Sequence, residues 1–167
     1  MSVLVTYGSK LGGTEELASW VADGLRQEGF EVHLMAPLDV KDLTDYDTVV
    51  VGGALYALRW HRAARRFVKH HAASLRQRRV YFFSSGPLDD SASKAEIPPV
   101  KGVRALMDRV GAAGHATFGG RLAPDVRGFP ASAMAKKNAG DWRDAERVRT
   151  WVRSIAEDLR GGSTRAA

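Results

Sequence analysis

The stretch Val3–Thr14, VLVTYGSKLGGT, decides the fold. Val3, Leu4 and Val5 form an apolar run of strand type, which Tyr7 and Gly8 carry into a turn. Ser9, Lys10, Leu11, Gly12, Gly13 and Thr14 then make a short loop of small and hydroxyl residues. A helix follows at once, with Leu17, Ala18, Val21, Ala22 and Leu25 at helical spacing and Gly29 stopping it. Such a loop can cradle a phosphate, because glycines let backbone N–H groups converge, hydroxyls add donors and the helix dipole favours an anion. The same residues also fit an ordinary βα turn in which Thr14 only caps the helix.

Working outward, strand and helix alternate. Val32, Leu34 and Met35 read as a second strand, 37–45 as polar connection, and TVVVGG from Thr48 to Gly53 as a third strand whose unbroken apolar run implies burial on both faces. A helix from Ala63 places Ala64, Phe67, Val68, His71 and Leu75 on one face. Val80 to Phe83 forms a fourth strand that ends in the polar loop from Ser84 to Asp90. Pro98 and Pro99 introduce a helix carrying Val103, Leu106, Met107 and Val110, closed by Gly114, and His115 to Leu122 reads as a fifth strand. Residues 123–141 have no clean period and read as an insertion or long loop, functional or disordered by its length. Asp141 is placed to cap a last helix lined by Val148, Trp151, Val152, Ile155 and Leu159. These features predict one three-layer α/β domain over 1–160 with a five-stranded parallel sheet, and a disordered tail over 161–167. In such sheets ligands bind beyond the carboxyl ends of the strands, where three loops converge: 9–14, 54–60 and 84–90.

Composition narrows the chemistry. The 167 residues contain no cysteine, which excludes disulfides, thiol nucleophiles and cysteine-ligated iron–sulfur clusters, so redox chemistry must come from an organic cofactor. No stretch is long and apolar enough for a membrane span, and the N-terminus lacks signal-peptide character, which predicts a cytoplasmic location. The net charge of +6 suits anionic partners. No nucleic-acid-binding motif accompanies that charge, so nucleic acid is not expected as a partner. No metal is expected either, since His61, His70 and His71 do not give several ligands on one helix face. Asp89 and Asp90 could pair as acid and base, but a turn after Pro87 more simply uses them for backbone hydrogen bonds.

Ser9, Gly12 and Thr14, spaced S-x-x-G-x-T after the first strand, resemble the phosphate loop of the flavodoxin family. Gly52, Gly53, Ala54, Leu55, Tyr56 and Trp60 resemble its second flavin-binding loop, and Ser84, Ser85 and Gly86 its third. Within the family the chain is most similar to the branch containing menaquinone-dependent protoporphyrinogen oxidase. The resemblance implies a flavodoxin-like sheet of order 2-1-3-4-5 and FMN held by Ser9, Lys10, Leu11, Gly12, Gly13 and Thr14 at its phosphate. Ala54, Leu55, Tyr56, Trp60, Ser84, Ser85 and Gly86 would then surround the ring.

The resemblance further implies an FMN-dependent oxidoreductase that passes electrons from an organic substrate through flavin to a quinone, with no side-chain nucleophile. The alternatives are a flavodoxin-type electron carrier or quinone reductase, and a flavodoxin-like interaction protein without FMN. Plain carriers have acidic surfaces and this chain is basic, which points toward an anionic small-molecule substrate, such as a porphyrinogen with its carboxylates. A quinone or redox protein is the expected electron partner. Peripheral contact with the inner face of the membrane and a homodimer are compatible with this reading. The insertion, with Phe129 and Met134 among Arg127, Lys136 and Lys137, fits either a segment that holds substrate or touches the membrane or a solvated surface excursion.

Overall fold

The structure, a computed structural model, describes residues 1–10, 12–122 and 140–165, with side chains described up to 162. Its elements run β1 (Ser2–Gly8), α1 (Gly13–Gln27), β2 (Glu31–Met35), a 3₁₀ turn (Pro37–Asp39), β3 (Thr48–Tyr56) and β4 (Arg59–Trp60). They continue with α2 (Arg62–His70), α3 (Ala72–Leu75), β5 (Arg79–Ser85), α4 (Ser91–Lys94), α5 (Lys101–Val110), β6 (Gly114–Phe118), β7 (Arg121–Leu122), β8 (Gly140–Asp141) and α6 (Ala145–Arg165). The main sheet has the order β2-β1-β3-β5-β6, all parallel, with the short β4 paired antiparallel to β3. Setting β4 aside, this is the 2-1-3-4-5 flavodoxin-like order expected from the sequence.

The period of two along each strand builds two cores. Leu4, Val49, Val51, Val80 and Phe82 face α2, α3 and α5. Val3, Val5, Val50, Tyr81 and Phe83 face α1 and α6. The consecutive valines of β3 are all fully buried, which is why that strand reads as an unbroken apolar run.

Several local expectations are corrected. The turn closing α5 is Gly111, at φ 68°, while Gly114 begins β6. The expected fifth strand over 115–122 is two: β6 stops at Phe118, and after Gly119 and Gly120 the chain pairs Arg121 and Leu122 with Asp141 and Gly140. Gly119 allows this break, since a Cβ there would lie 2.0 Å from the Trp142 carbonyl oxygen. The cap of the last helix is Asp144, whose Oδ1 accepts from the N–H groups of Glu146 and Arg147 at 3.0 and 3.3 Å. Asp141 instead accepts from Arg143. The helix face expected from Ala63 is real but broken at His71 into α2 and α3. The last helix runs to Arg165, past Gly161, and its Arg160 holds the Glu28 carbonyl at 2.7 Å. Residues 166–167, and 123–139 of the expected insertion, lie outside the described residues.

Candidate functional site

The parallel register brings Gly8, Gly53 and Ser84 side by side, so β1, β3 and β5 end at one level. Beyond those ends lies a cleft of about 260 Å³. Ser9, Lys10, Gly13, Thr14, Ala54, Leu55, Tyr56, Ser85 and Gly86 line it, together with His61, Leu88, Gly120, Arg121 and Leu122. All three loops expected from the sequence therefore meet here.

At the first loop, Ser9 Oγ accepts the Gly12 N–H at 3.2 Å and ties the turn shut. Gly12 is the residue before α1 and sits at φ 83°, in the left-handed region that glycine adopts without strain. It offers no side chain, and no side-chain hydrogen bond caps the helix. Thr14 is thus not the cap. It lies in the first turn, 2% exposed, and lines the cleft beside the N–H groups that α1 leaves uncapped. Hydroxyls and amides converge there on a space suited to an anion. Leu11 lies outside the described residues, and Gly12 shapes the loop without lining the cleft.

The second loop is a hairpin. Leu55 pairs with Trp60 and Tyr56 with Arg59 around Ala57 and Leu58, whose φ values are 47° and 61°. Two positive φ values in a two-residue hairpin loop describe a turn that glycine or asparagine would normally occupy, so this wall stores backbone strain. Tyr56 lines the cleft and its ring stands edge-on to His61 at 6.2 Å. His61 Nδ1 accepts the Ala63 N–H at 3.2 Å, capping α2. Burial, with Arg65 and Lys10 adding to it, holds His61 below the usual imidazole range.

Trp60 and Ser84 do not line the cleft. Trp60 is 2% exposed, stacks against Phe82 at 4.9 Å and lies where a Cβ on Gly53 would come within 2.6 Å of its ring. Its Nε1–H donates to Ser84 Oγ at 2.9 Å, and Ser84 Oγ is 2.9 Å from His115 Nε2. Ser84 Oγ thus joins the Trp60 indole to the His115 ring in one buried chain of hydrogen bonds. Burial beside Arg104 pushes His115 down to about 4. Alternation explains the split between the two serines: Ser84 shares the Phe82 face, and Ser85 points the other way into the cleft.

The residues the sequence reading missed come from 119–122 and from the start of α2. Gly119-Gly120 was the available signal for the first, as a break after β6. His61 reads from the sequence as a metal candidate, while its place directly before a helix is the signal for a cap. Asp89 does serve its own turn, accepting the Ser91 N–H at 2.8 Å, and Asp90 pairs with Lys94.

The Flavodoxin domain family model matches residues 4–136. Over 86 residues the chain is 29% identical to the protoporphyrinogen IX dehydrogenase (quinone) of Escherichia coli strain K12, an alignment covering 50% of this chain and 48% of that protein. The protein of that name from Escherichia coli O157:H7 matches equally. The chain spans about half the length of the curated relatives it matches. Among solved structures, a flavodoxin from the domain Archaea superposes with TM-score 0.66 at 16% identity, covering 96% of this chain and 99% of that one. The rubredoxin oxygen:oxidoreductase of Desulfovibrio gigas superposes at 0.65 and 17%, covering 96% of this chain and 36% of that one. At those identities the superpositions speak for the fold. The match over 4–136 and the sheet order agree, and the chain belongs to the Flavodoxin domain family.

Proposed function

We propose that the chain is an FMN-dependent oxidoreductase that takes electrons from an anionic organic substrate, a protoporphyrinogen, and delivers them to a quinone. The observation that carries the cofactor is the α1 N-terminus, which no side chain caps and which opens with Ser9 and Thr14 into a cleft lined by Lys10 and Arg121 as well as by Ala54, Leu55, Tyr56, Leu88 and Leu122. The substrate and acceptor rest on the partial likeness to the Escherichia coli dehydrogenase and on the basic balance of the chain.

FMN, when bound, supplies the redox centre that a cysteine-free chain lacks. The chain's own residues do the rest. Ser9 fixes the loop, Thr14 offers a hydroxyl, and Lys10 and Arg121 bring positive charge to the same end of the cleft. Leu55, Tyr56, Leu88 and Leu122 supply apolar surface against which a flat ring could pack. His61, neutral and with Nδ1 already accepting, retains an Nε2–H as a donor.

Mass spectrometry of the cofactor released by heating tests the first step. FMN is expected, and release of nothing, or of FAD only, would refute the reading. Oxidation of protoporphyrinogen by the FMN-loaded protein with a menaquinone analogue tests the second, and an FMN-loaded protein without turnover would be a carrier instead. Shortening 125–138 should leave FMN bound and lower that turnover, because the described cleft residues lie elsewhere. A homodimer and peripheral contact with the inner membrane face belong to the same reading, and the first is checked by light scattering. Among the described residues no helix is long and apolar enough to cross a membrane.

A further inference from the structure

The charge of this protein is unevenly placed. From Arg59 to Arg79 the sequence holds 8 Lys and Arg and no Asp or Glu. Four of these cations are engaged within the fold. Arg65 donates to the Trp60 carbonyl, Arg76 to that of Arg109, Arg78 to those of Leu43, Tyr46 and Ser74, and Arg79 pairs with Asp158. The other four, Arg59, Arg62, Arg66 and Lys69, are exposed and have no hydrogen-bond or ion-pair partner among the described residues. Arg62, Arg66 and Lys69 stand at i, i+4 and i+7, a single ridge along α2. The opposite side of that helix is spent on the core through Ala64, Phe67 and Val68. Just before α2 in the chain, at the tip of the strained hairpin, Leu58 is 76% exposed.

We infer that the α2 ridge and the Leu58 tip form a docking surface for an anionic phospholipid bilayer, an assignment that rests on the peripheral membrane contact of the proposed function and gives it a place in the fold. A straight row of cations with no carboxylate among them matches a continuous plane of phosphates, whereas an acidic protein partner is normally registered by interspersed charges of both signs. An exposed leucine beside Arg59 supplies the apolar side chain that enters the headgroup region while the guanidinium stays at its surface. Because the apolar side of α2 is already buried, the helix lies on the bilayer without inserting into it, and attachment is mainly electrostatic and salt-sensitive. The hairpin that carries Leu58 also carries Leu55 and Tyr56 of the cleft, so docking brings the cleft to the bilayer surface.

Sedimentation with vesicles of phosphatidylcholine containing phosphatidylglycerol, against phosphatidylcholine alone, tests this without reference to cofactor or turnover. Binding is expected only to the anionic vesicles, lost between 0.1 and 0.5 M salt, with those salt values set as roughly one and two-fold compressed screening lengths. Arg62→Gln with Arg66→Gln should weaken it roughly 25-fold, about fivefold per cation. Leu58→Asn, which suits the left-handed turn, should weaken it at least severalfold. Arg153→Gln on α6 should change little. Equal binding to neutral vesicles, or undiminished binding by the double variant with unaltered circular dichroism, would overturn the proposal. Loss of binding only on removing Arg127, Lys136 and Lys137 would move the contact to 123–139 and overturn it as well. Binding of soluble polyglutamate as tight as that of vesicles, with Leu58→Asn neutral, would assign the ridge to an acidic protein instead.

Discussion

Acidification should destabilise this fold through His115 well before its carboxylates are protonated. The folded value of about 4 lies below the ordinary 6.5, because burial and Arg104 both oppose the charged ring. Between those values the unfolded chain binds a proton that the folded one does not, so this contribution is fully present above 6.5 and is lost as pH falls toward 4. The gap corresponds to about 3 kcal/mol in full, and to about 2.5 kcal/mol at pH 4.5. His61 and His71 are also held low by burial and act in the same direction, so the total slope is not diagnostic. The informative quantity is the difference between the protein and His115→Gln, whose amide can still hydrogen-bond Ser84 Oγ, as donor or acceptor, but cannot titrate. Urea unfolding followed by tryptophan fluorescence at pH 7, 5.5 and 4.5 measures it. The stability difference should move in favour of the variant by about 2.5 kcal/mol from pH 7 to 4.5. A difference independent of pH would refute the reading of His115 as a ring kept neutral by burial beside Arg104.

Thr14→Val should weaken FMN by roughly 1.5 to 3 kcal/mol, the usual cost of losing a hydrogen bond to a charged group, as read by fluorescence titration of the apoprotein. Its melting temperature should hold, because Thr14 caps nothing. Ala57→Asn with Leu58→Gly should stabilise the protein by about 1 kcal/mol by relieving the left-handed strain, raising Tm by roughly 2–4 °C in calorimetry. Asp144→Ala should cost roughly 0.5 to 2 kcal/mol in urea unfolding through loss of the α6 cap. Unchanged stability in that variant would show that α6 starts elsewhere.

The sheet and the first loop were legible because their physics is local. Val49 to Val51 can be buried on both faces only in a central parallel strand, and Gly12-Gly13 before a periodic helix leaves little but a βα turn. What was not legible depends on distant partners. Trp60 reads as an aromatic in a flavin loop, yet it is drawn into the core by Ser84, 24 positions away, and by the space over Gly53. Leu55, its partner across the hairpin, takes the place at the cleft. Ser84 and Ser85 look equivalent in sequence, and only the register against β3 and β6 tells which faces the ligand side. Arg121 and Leu122 look like the end of a strand, because nothing within β6 says that Asp141 and Gly140 will pair with them.

The region around 140–143 reads as irregular, yet it decides the electrostatics of the cleft. The first turn of α1 carries Glu15 and Glu16, which on their own would oppose an anion at that helix terminus. Glu15 is engaged by the Tyr7 hydroxyl at 3.1 Å. Glu16 is engaged by Arg143, and more loosely by Arg121 at 3.9 Å. Arg143 can reach it because its side chain, only 6% exposed, is clamped between Asp141 of β8 and Glu16 and rests on the Trp20 ring at 4.9 Å. Asp141 holds Arg143 there and is itself pulled below the usual carboxylate range by that contact. The short β7–β8 pairing therefore sets Arg121 against the cleft and aligns Asp141 to aim Arg143 at Glu16. A carboxylate that would repel a phosphate becomes part of a network that orders the cleft's basic rim.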